Sequence, residues 1–324
     1  MNSISSYKTI IADYIDAIEI DKKPDELYQP IRYILSLGGK QIRPVLTLFA
    51  AEIFGAGHQK AIYAATAIEL FHNFSLIHDD IMDEAPLRRG KETVHHRWNT
   101  NTGILSGDAL LILAYQYFEN YEPIIFRELA KLFSKTALQV CEGQQLDINF
   151  ESRDNVSIEE YIQMIDYKTA VLVGAALEMG AIVAETSDKN RQDIYDFGRY
   201  LGIAFQLQDD YLDAFGDAET FGKQVGGDIL ENKKTFLYLK AMIKGNEIER
   251  KELAKWFSTT TNNGEEKINR VKMIFENTKA TDDIQAEIRK YTDQAINLLN
   301  NLNIADNYKN ELRDFSLELM NRTV

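Results

Sequence analysis

Twice in this chain an apolar helical run ends in the same pattern of acids. Residues 68–78 lead into Asp79-Asp80-Ile81-Met82-Asp83, and residues 201–208 lead into Asp209-Asp210-Tyr211-Leu212-Asp213. On a helix the first and last acid of each pattern lie one turn apart on one face, with the second about 100° round. Carboxylates at i and i+4 repel and destabilise an isolated helix by about 0.2–0.5 kcal/mol, so the arrangement needs compensation. Taken singly, such a cluster is equally a solvated acidic patch. A hard divalent cation would also supply the compensation, because Mg²⁺ takes one or two carboxylates and completes its octahedron with waters and substrate phosphates. The apolar turns before each cluster, and the repetition, favour the cation. They imply two helices facing each other across a cavity, with acids gathered at its mouth.

The rest of the composition fits such a helical cavity. Of 324 residues 45% are apolar, enough for a sizeable core, and only five are proline. Long stretches repeat at 3.6 residues and none alternates for long, so the expectation is an all-α single large helical bundle over residues 1–324. A formal net charge of −14 argues against nucleic acid and against an anionic membrane surface, though not against a small anionic ligand held by local cations. Cys141 stands alone, which rules out an intrachain disulfide and fits a reducing compartment. The N-terminus has no basic segment followed by an apolar one. The most apolar later stretch, 171–184, holds Glu178 and is shorter than the ~20 residues a spanning helix needs. A soluble, cytoplasmic protein without membrane insertion is expected.

Cations recur beside the acids in sequence. Residues 7–36 read as two amphipathic helices broken near 22–25, followed by Gly38-Gly39-Lys40-Gln41-Ile42-Arg43-Pro44 and a helix to about Phe54. Paired glycines permit a tight turn and Pro44 suits a first helical turn, so Lys40 and Arg43 flank a helix start that favours anions. They are equally read as two solvated cations, and the spacing is not that of a Walker loop. Arg88-Arg89-Gly90-Lys91 follows the first acids, with guanidinium forks suited to phosphate. His95 and His96 are adjacent and would point apart on a helix, as surface or hydrogen-bonding residues. Residues 102–118 form a helix apolar nearly all round, expected to be buried on every side, within the chain or partly against a second subunit.

Residues 142–147 place Gln144 and Asp147 on a helix begun near Phe126. Ser157-Ile158-Glu159-Glu160 then caps a helix running through Lys168-Thr169 to Ala184. Lys168 among apolar neighbours either snorkels or points at an anion. Residues 215–234, with four glycines and Lys223, Lys233 and Lys234 among acids, predict a mobile lid. Charged amphipathic helices follow, with a surface break at 258–264.

Taken together, the two DDxxD motifs, GGKxxRP at 38–44, the paired arginines and Lys168-Thr169-Ala170 resemble the trans-prenyltransferases, the isoprenyl diphosphate synthases that lengthen allylic diphosphates. The resemblance runs from Gly38 to about Lys234. It implies the isoprenoid synthase fold, a homodimer, and Mg²⁺, three ions, held by Asp79, Asp83 and Asp209, with Asp80 beside them. It further implies that Lys40, Arg43, His72 and Arg89 hold isopentenyl diphosphate, and that Arg88, Lys168, Lys223 and Lys233 face the allylic diphosphate. Thr169 and Gln206 would be the dipoles beside the allylic cation, while in relatives Gln144 and Asp147 approach the metal site. Phe71, Phe74 and Ser75 lie toward the cavity floor, Phe74 and Ser75 about 6–7.5 Å deeper than Asp79. Relatives that stop at C15 with this short motif generally carry aromatics at both positions. One aromatic and a serine resemble geranylgeranyl diphosphate synthases, with C20 the expected product and C15 the alternative.

Three other readings fit less of the chain. A class I terpene cyclase would have an NSE or DTE triad in place of the second motif and no GGKxxRP. A non-catalytic subunit would typically lack acids that are present here. A di-iron bundle, suggested by the Glu69–His72 spacing, requires a second ExxH that is missing.

Overall fold

Apolar residues at helical spacing build almost all of this structure, a computed structural model that describes residues 4–20, 22–216, 225–258 and 263–320. Its only strands among the described residues form a two-residue hairpin, so the chain is all-α as its periodicity predicts. The helices fall into two compact units, Met1–Ser134 with Ala175–Gln192, and Lys135–Gly174 with Asp193–Val324.

In the first unit α1 (Ile4–Asp16) buries Tyr7, Ile11 and Ile15, one face at i, i+4 and i+8. Asp25 and Glu26 sit in the first turn of α2 (Asp25–Ser36), where the helix dipole favours them. The turn before α3 (Ile42–Ile53) needs positive φ at Gly38, Gly39 and Gln41. Central to the unit is α4 (Ile62–Met82), buried on most sides from Ala64 to Phe71 and ending in the first acidic motif. Strands β1 (Leu87–Arg88) and β2 (Lys91–Glu92) pair through Arg89-Gly90, both with positive φ, as two-residue hairpin turns commonly require. After α5 (Val94–Arg97), Asn99 caps α6 (Thr100–Phe118) by accepting the Thr102 N–H at 2.9 Å. Gly103 and Gly107 bring α6 close to α4, since a β-carbon at either would overlap Ile81 or His78.

The expectation that residues 102–118 are buried all round does not hold within the chain. Leu110, Ala114 and Phe118 are covered, but Ile104, Leu105 and Ile112 are 41–59% exposed. Periodicity reports that a helix is apolar on every side, not what covers each side.

In the second unit the helix α7 (Pro123–Ser152) supplies its later turns. Then α8 (Ile158–Ile165) opens with the expected capping box of Ser157 and Glu160. Residues 166–170 form a π-helical turn before α9 (Val171–Val183), where sequence periodicity predicts uninterrupted α-helix. Two glycines admit that wider turn. A β-carbon on Gly143 of α7 would overlap the Lys168 backbone, and one on Gly202 of α10 (Asp188–Phe215) would lie 2.7 Å from Ala170 Cα. A short helix α11 (Gly227–Leu230) interrupts the connection expected to be irregular. The helices α12 (Phe236–Lys244), α13 (Glu247–Phe257), α14 (Gly264–Asn277) and α15 (Ala280–Asn301) close a core with Phe236, Leu253, Phe275 and Ile284 at its centre, and α16 (Asp306–Met320) follows.

Candidate active site

In the first unit, cations separated by up to some fifty residues of chain meet at one place. Arg43, at the start of α3, donates from Nη1 to His72 Nε2 of α4 at 3.2 Å. Arginine only donates, so Nε2 accepts and the imidazole is the neutral tautomer with its proton on Nδ1. Burial and then the charges of Arg43, Arg89 and Arg88 hold the His72 pKa well below 6.5. Arg89 reaches the same place from the hairpin turn, its guanidinium lying where a side chain on Gly39 would be, with Nη2 2.6 Å from that position. This explains a second glycine ahead of Lys40, which is exposed on the same turn. Of the expected residues, Arg43, Arg89 and His72 are therefore gathered, with Lys40 next in sequence to the Gly39 that Arg89 covers.

Glu69 belongs to this group and was read from sequence only as half of an ExxH spacing. It is 4% exposed on α4, accepts from Asn73 Nδ2 at 3.1 Å and interacts electrostatically with Arg43. Burial raises its pKa while Arg43 and Asn73 oppose the rise. Glu69 Oε2 and Arg43 Nε are buried with no hydrogen-bond partner among the described residues. A glutamate inside an apolar helical run is the only sequence signal it gives. Glu69 and His72 are thus engaged by Asn73 and Arg43, respectively.

The first acidic motif separates its members. Asp79 is half-buried, while Asp83 caps the end of α4 and is exposed. Asp80 turns inward at 1% exposure, where Arg88 grips it: Nε donates to both carboxylate oxygens at 2.9 Å and Nη2 approaches Oδ1 at 2.6 Å. Asp80 thus orients Arg88 and does not share the open face of Asp79 and Asp83. Deeper on α4, Phe74 packs its ring against His78 and Phe71 at 4.7 and 5.4 Å, and Phe71 meets Phe133 at 5.1 Å. Ser75 returns its hydroxyl to the His72 carbonyl at 2.8 Å, presenting a small surface beside that ladder of rings.

In the second unit, the π turn places Lys168 and Thr169 in a cavity lined also by Asp147, Gln206, Asp210 and Lys233. Lys168 Nζ lies 2.6 Å from Asp147 Oδ2. Thr169 donates to Gln206 Oε1 at 3.1 Å, Gln206 donates to Asp210 Oδ1 at 3.1 Å, and Tyr161 donates to the other Asp210 oxygen. Burial, then Asp228, pushes the Asp210 carboxyl well above the usual range against those two donors. Asp209, its neighbour, is half-buried, and Asp213 accepts the Asp228 N–H at 3.0 Å. Lys233 pairs with Glu231 at 2.8 Å. The buried Gln144 has neither amide atom partnered among the described residues. Tyr161 escaped the sequence reading, and Asp210 was read there only as a member of the second acidic motif, because a hydrogen-bond chain between helices leaves no spacing in the sequence. Lys223 lies outside the described residues.

Carboxylate oxygens at Asp79, Asp83 and Asp209 are the donors that a hard divalent cation takes. One or two carboxylates plus phosphate oxygens suffice for Mg²⁺ without a three-ligand protein cluster. Fold and site together define an all-α enzyme built to hold anionic groups. A profile of the polyprenyl synthetase family matches residues 24–276, and the chain belongs to that family of prenyltransferases. A crystal structure of a geranylgeranyl pyrophosphate synthase is 52% identical, with 99% of each chain covered and a TM-score of 0.96. The geranylgeranyl pyrophosphate synthase of Geoglobus acetivorans is 37% identical over 95% of this chain and 96% of its own. A polyprenyl synthase from Caulobacter crescentus, solved with calcium and isoprenyl diphosphate, is 26% identical over 99% and 96% of the two chains, with a TM-score of 0.88. Among the described residues no helix is long and apolar enough to cross a membrane.

The neutral His72 makes a pH prediction. Its folded pKa is depressed, so below about pH 6.5 the unfolded chain takes up a proton that the native state refuses. Stability therefore falls as pH drops from 6.5 toward the folded pKa, with a slope reaching about 1.4 kcal/mol per pH unit from this group. His72→Gln should lose that component in urea unfolding at pH 5–7. An identical slope in the variant would show that His72 does not stay neutral.

Proposed function

We propose that this protein condenses isopentenyl diphosphate with allylic diphosphates, releasing pyrophosphate, and that geranylgeranyl diphosphate is its main product. The observation that carries this reading is the convergence of Arg43, His72, Arg88 and Arg89 about the helix that also presents Asp79 and Asp83. Residues 1–324 would act as one catalytic domain; the family match, which runs through both units, supports this.

Magnesium ions, three by family analogy, held through Asp79, Asp83 and Asp209, would supply neutralisation of the charge that grows on pyrophosphate as the allylic C–O bond breaks. Arg88, oriented by Asp80, together with Lys168, Lys223 and Lys233, would add positive charge where the leaving group develops its own. Thr169 and Gln206 turn oxygen dipoles toward the allylic cation, and apolar walls exclude water that would quench it. Lys40, Arg43, His72 and Arg89 hold isopentenyl diphosphate so that its double bond attacks C1 of that cation, with the proton lost to the departing pyrophosphate. Asp147 keeps Lys168 extended before substrate arrives.

The test is an incubation of purified protein with Mg²⁺, labelled isopentenyl diphosphate and each allylic primer, with products resolved by chain length. Asp79→Ala or Asp209→Ala should lower turnover by about a thousandfold or more at matched circular dichroism, the scale of losing preorganised charge stabilisation. Wild-type turnover in either would sink the two-motif reading.

Chain length rests on Phe74 and Ser75. Phe74→Ala opens the ladder of rings and should shift product beyond C20, while Ser75→Phe fills it and should shift product to C15. An unchanged distribution in both would move the floor to Phe71.

A homodimer is supported by Ile104, Leu105 and Ile112, an apolar face of α6 left exposed by the single chain. Light scattering at micromolar protein should give twice 37.1 kDa, and the single-chain mass would reject the dimer.

A further inference from the structure

Lys267 occupies a core position that a lysine has no stability reason to fill. It lies on the buried stripe of α14 with Val271, Ile274 and Phe275, at i, i+4, i+7 and i+8, and is 1% exposed. Among the described residues no carboxylate pairs with it, and desolvation lowers its pKa. A buried ammonium without a counter-ion is costly, and a methionine of similar length would fill the space without that penalty.

Its ammonium instead donates to Asn232 Oδ1 and reaches the Leu230 carbonyl at 3.5 Å, over the face of Phe257 at 5.5 Å from the ring centre. Both acceptors belong to the turn between α11 and α12, where Asn232 has φ +60° and the next residue is Lys233. The Lys233 N–H donates to the Asp228 carbonyl at 2.9 Å, and the Thr235 N–H to the Lys233 carbonyl at 2.9 Å, so the turn aims the lysine. Its other end is tied to α10, with Asp213 accepting the N–H groups of Gly226 and Asp228 at 2.6 and 3.0 Å. Lys233 itself lines the cavity with Lys168, Thr169 and Gln206.

We propose that Lys267 is a positioning residue for Lys233: its buried ammonium clamps the 230–232 turn so that Lys233 faces the diphosphate. This rests on the prenyl-transfer reading above. Lys267 touches no substrate and acts only through the turn.

Lys267→Met keeps the length of the side chain and removes its donors. It should raise KM for the allylic diphosphate roughly tenfold or more, the effect expected of a misplaced contact, while KM for isopentenyl diphosphate stays within about twofold. In a Lys233→Ala background the same substitution should add less than about twofold, because contacts that act through one another are non-additive. On ligand-free protein, amide hydrogen exchange at Lys233 and Thr235 should quicken about tenfold in Lys267→Met. If that variant does not fold, Asn232→Gly deletes the same contact while tolerating the positive φ, and should give the same three results. A wild-type allylic KM, equal effects with and without Lys233, or unchanged exchange would each overturn the clamp. Should the wild type elongate no primer, the prenyl reading fails separately, and the exchange measurement still decides whether the turn is clamped.

Discussion

Holding charges away from water is the constraint on which each cluster of candidate residues depends. Isolated, Asp80 or Asp166 would be too costly to bury, and each is gripped by an arginine, Arg88 and Arg199. Arg43 faces Glu69, and Lys168 lies against Asp147. These pairs add little net stability, since desolvation offsets much of their attraction. Their consequence is geometric: a guanidinium held from one side keeps its remaining donors aimed at the other. Arg88 engages Asp80 through Nε and Nη2, leaving Nη1 outside that pair.

Backbone packing places the next group of residues. Lys168 and Thr169 stand on a π turn that α7 and α10 can approach only through Gly143 and Gly202. An i→i+5 turn in place of an i→i+4 one rotates those side chains relative to a regular helix. Thr169 then meets Gln206, and the chain of hydrogen bonds through Asp210 to Tyr161 locks the Gln206 amide in one orientation. A single small residue on each neighbouring helix thus decides which dipole faces the cavity.

Close packing also shapes the surroundings of α4 and α6. Ring-on-ring contacts from Phe74 through Phe71 to Phe133 make a stiff aromatic stack beside α4, with the small Ser75 next to it. On α6, glycines at 103 and 107 let one face approach α4 while the apolar side chains opposite remain uncovered.

Helical class, helix boundaries near Asp25, Ile42 and Ser157, and the identity of the acids and cations were legible in the amino-acid sequence. Local periodicity, capping and turn chemistry act over a few residues and leave their mark there. The GGKxxRP turn and the two acidic motifs carried the family as well. What only the tertiary structure decided was which charges meet. It set Asp80 apart from Asp79 and Asp83, made Glu69 the counterpart of Arg43, and brought Arg89 over Gly39. It bent 166–170 into a π turn, uncovered one face of 102–118, and buried Lys267 beneath the turn that carries Lys233. Each of these depends on which helices approach and how closely, a matter of packing between residues far apart in the chain, which no local pattern encodes.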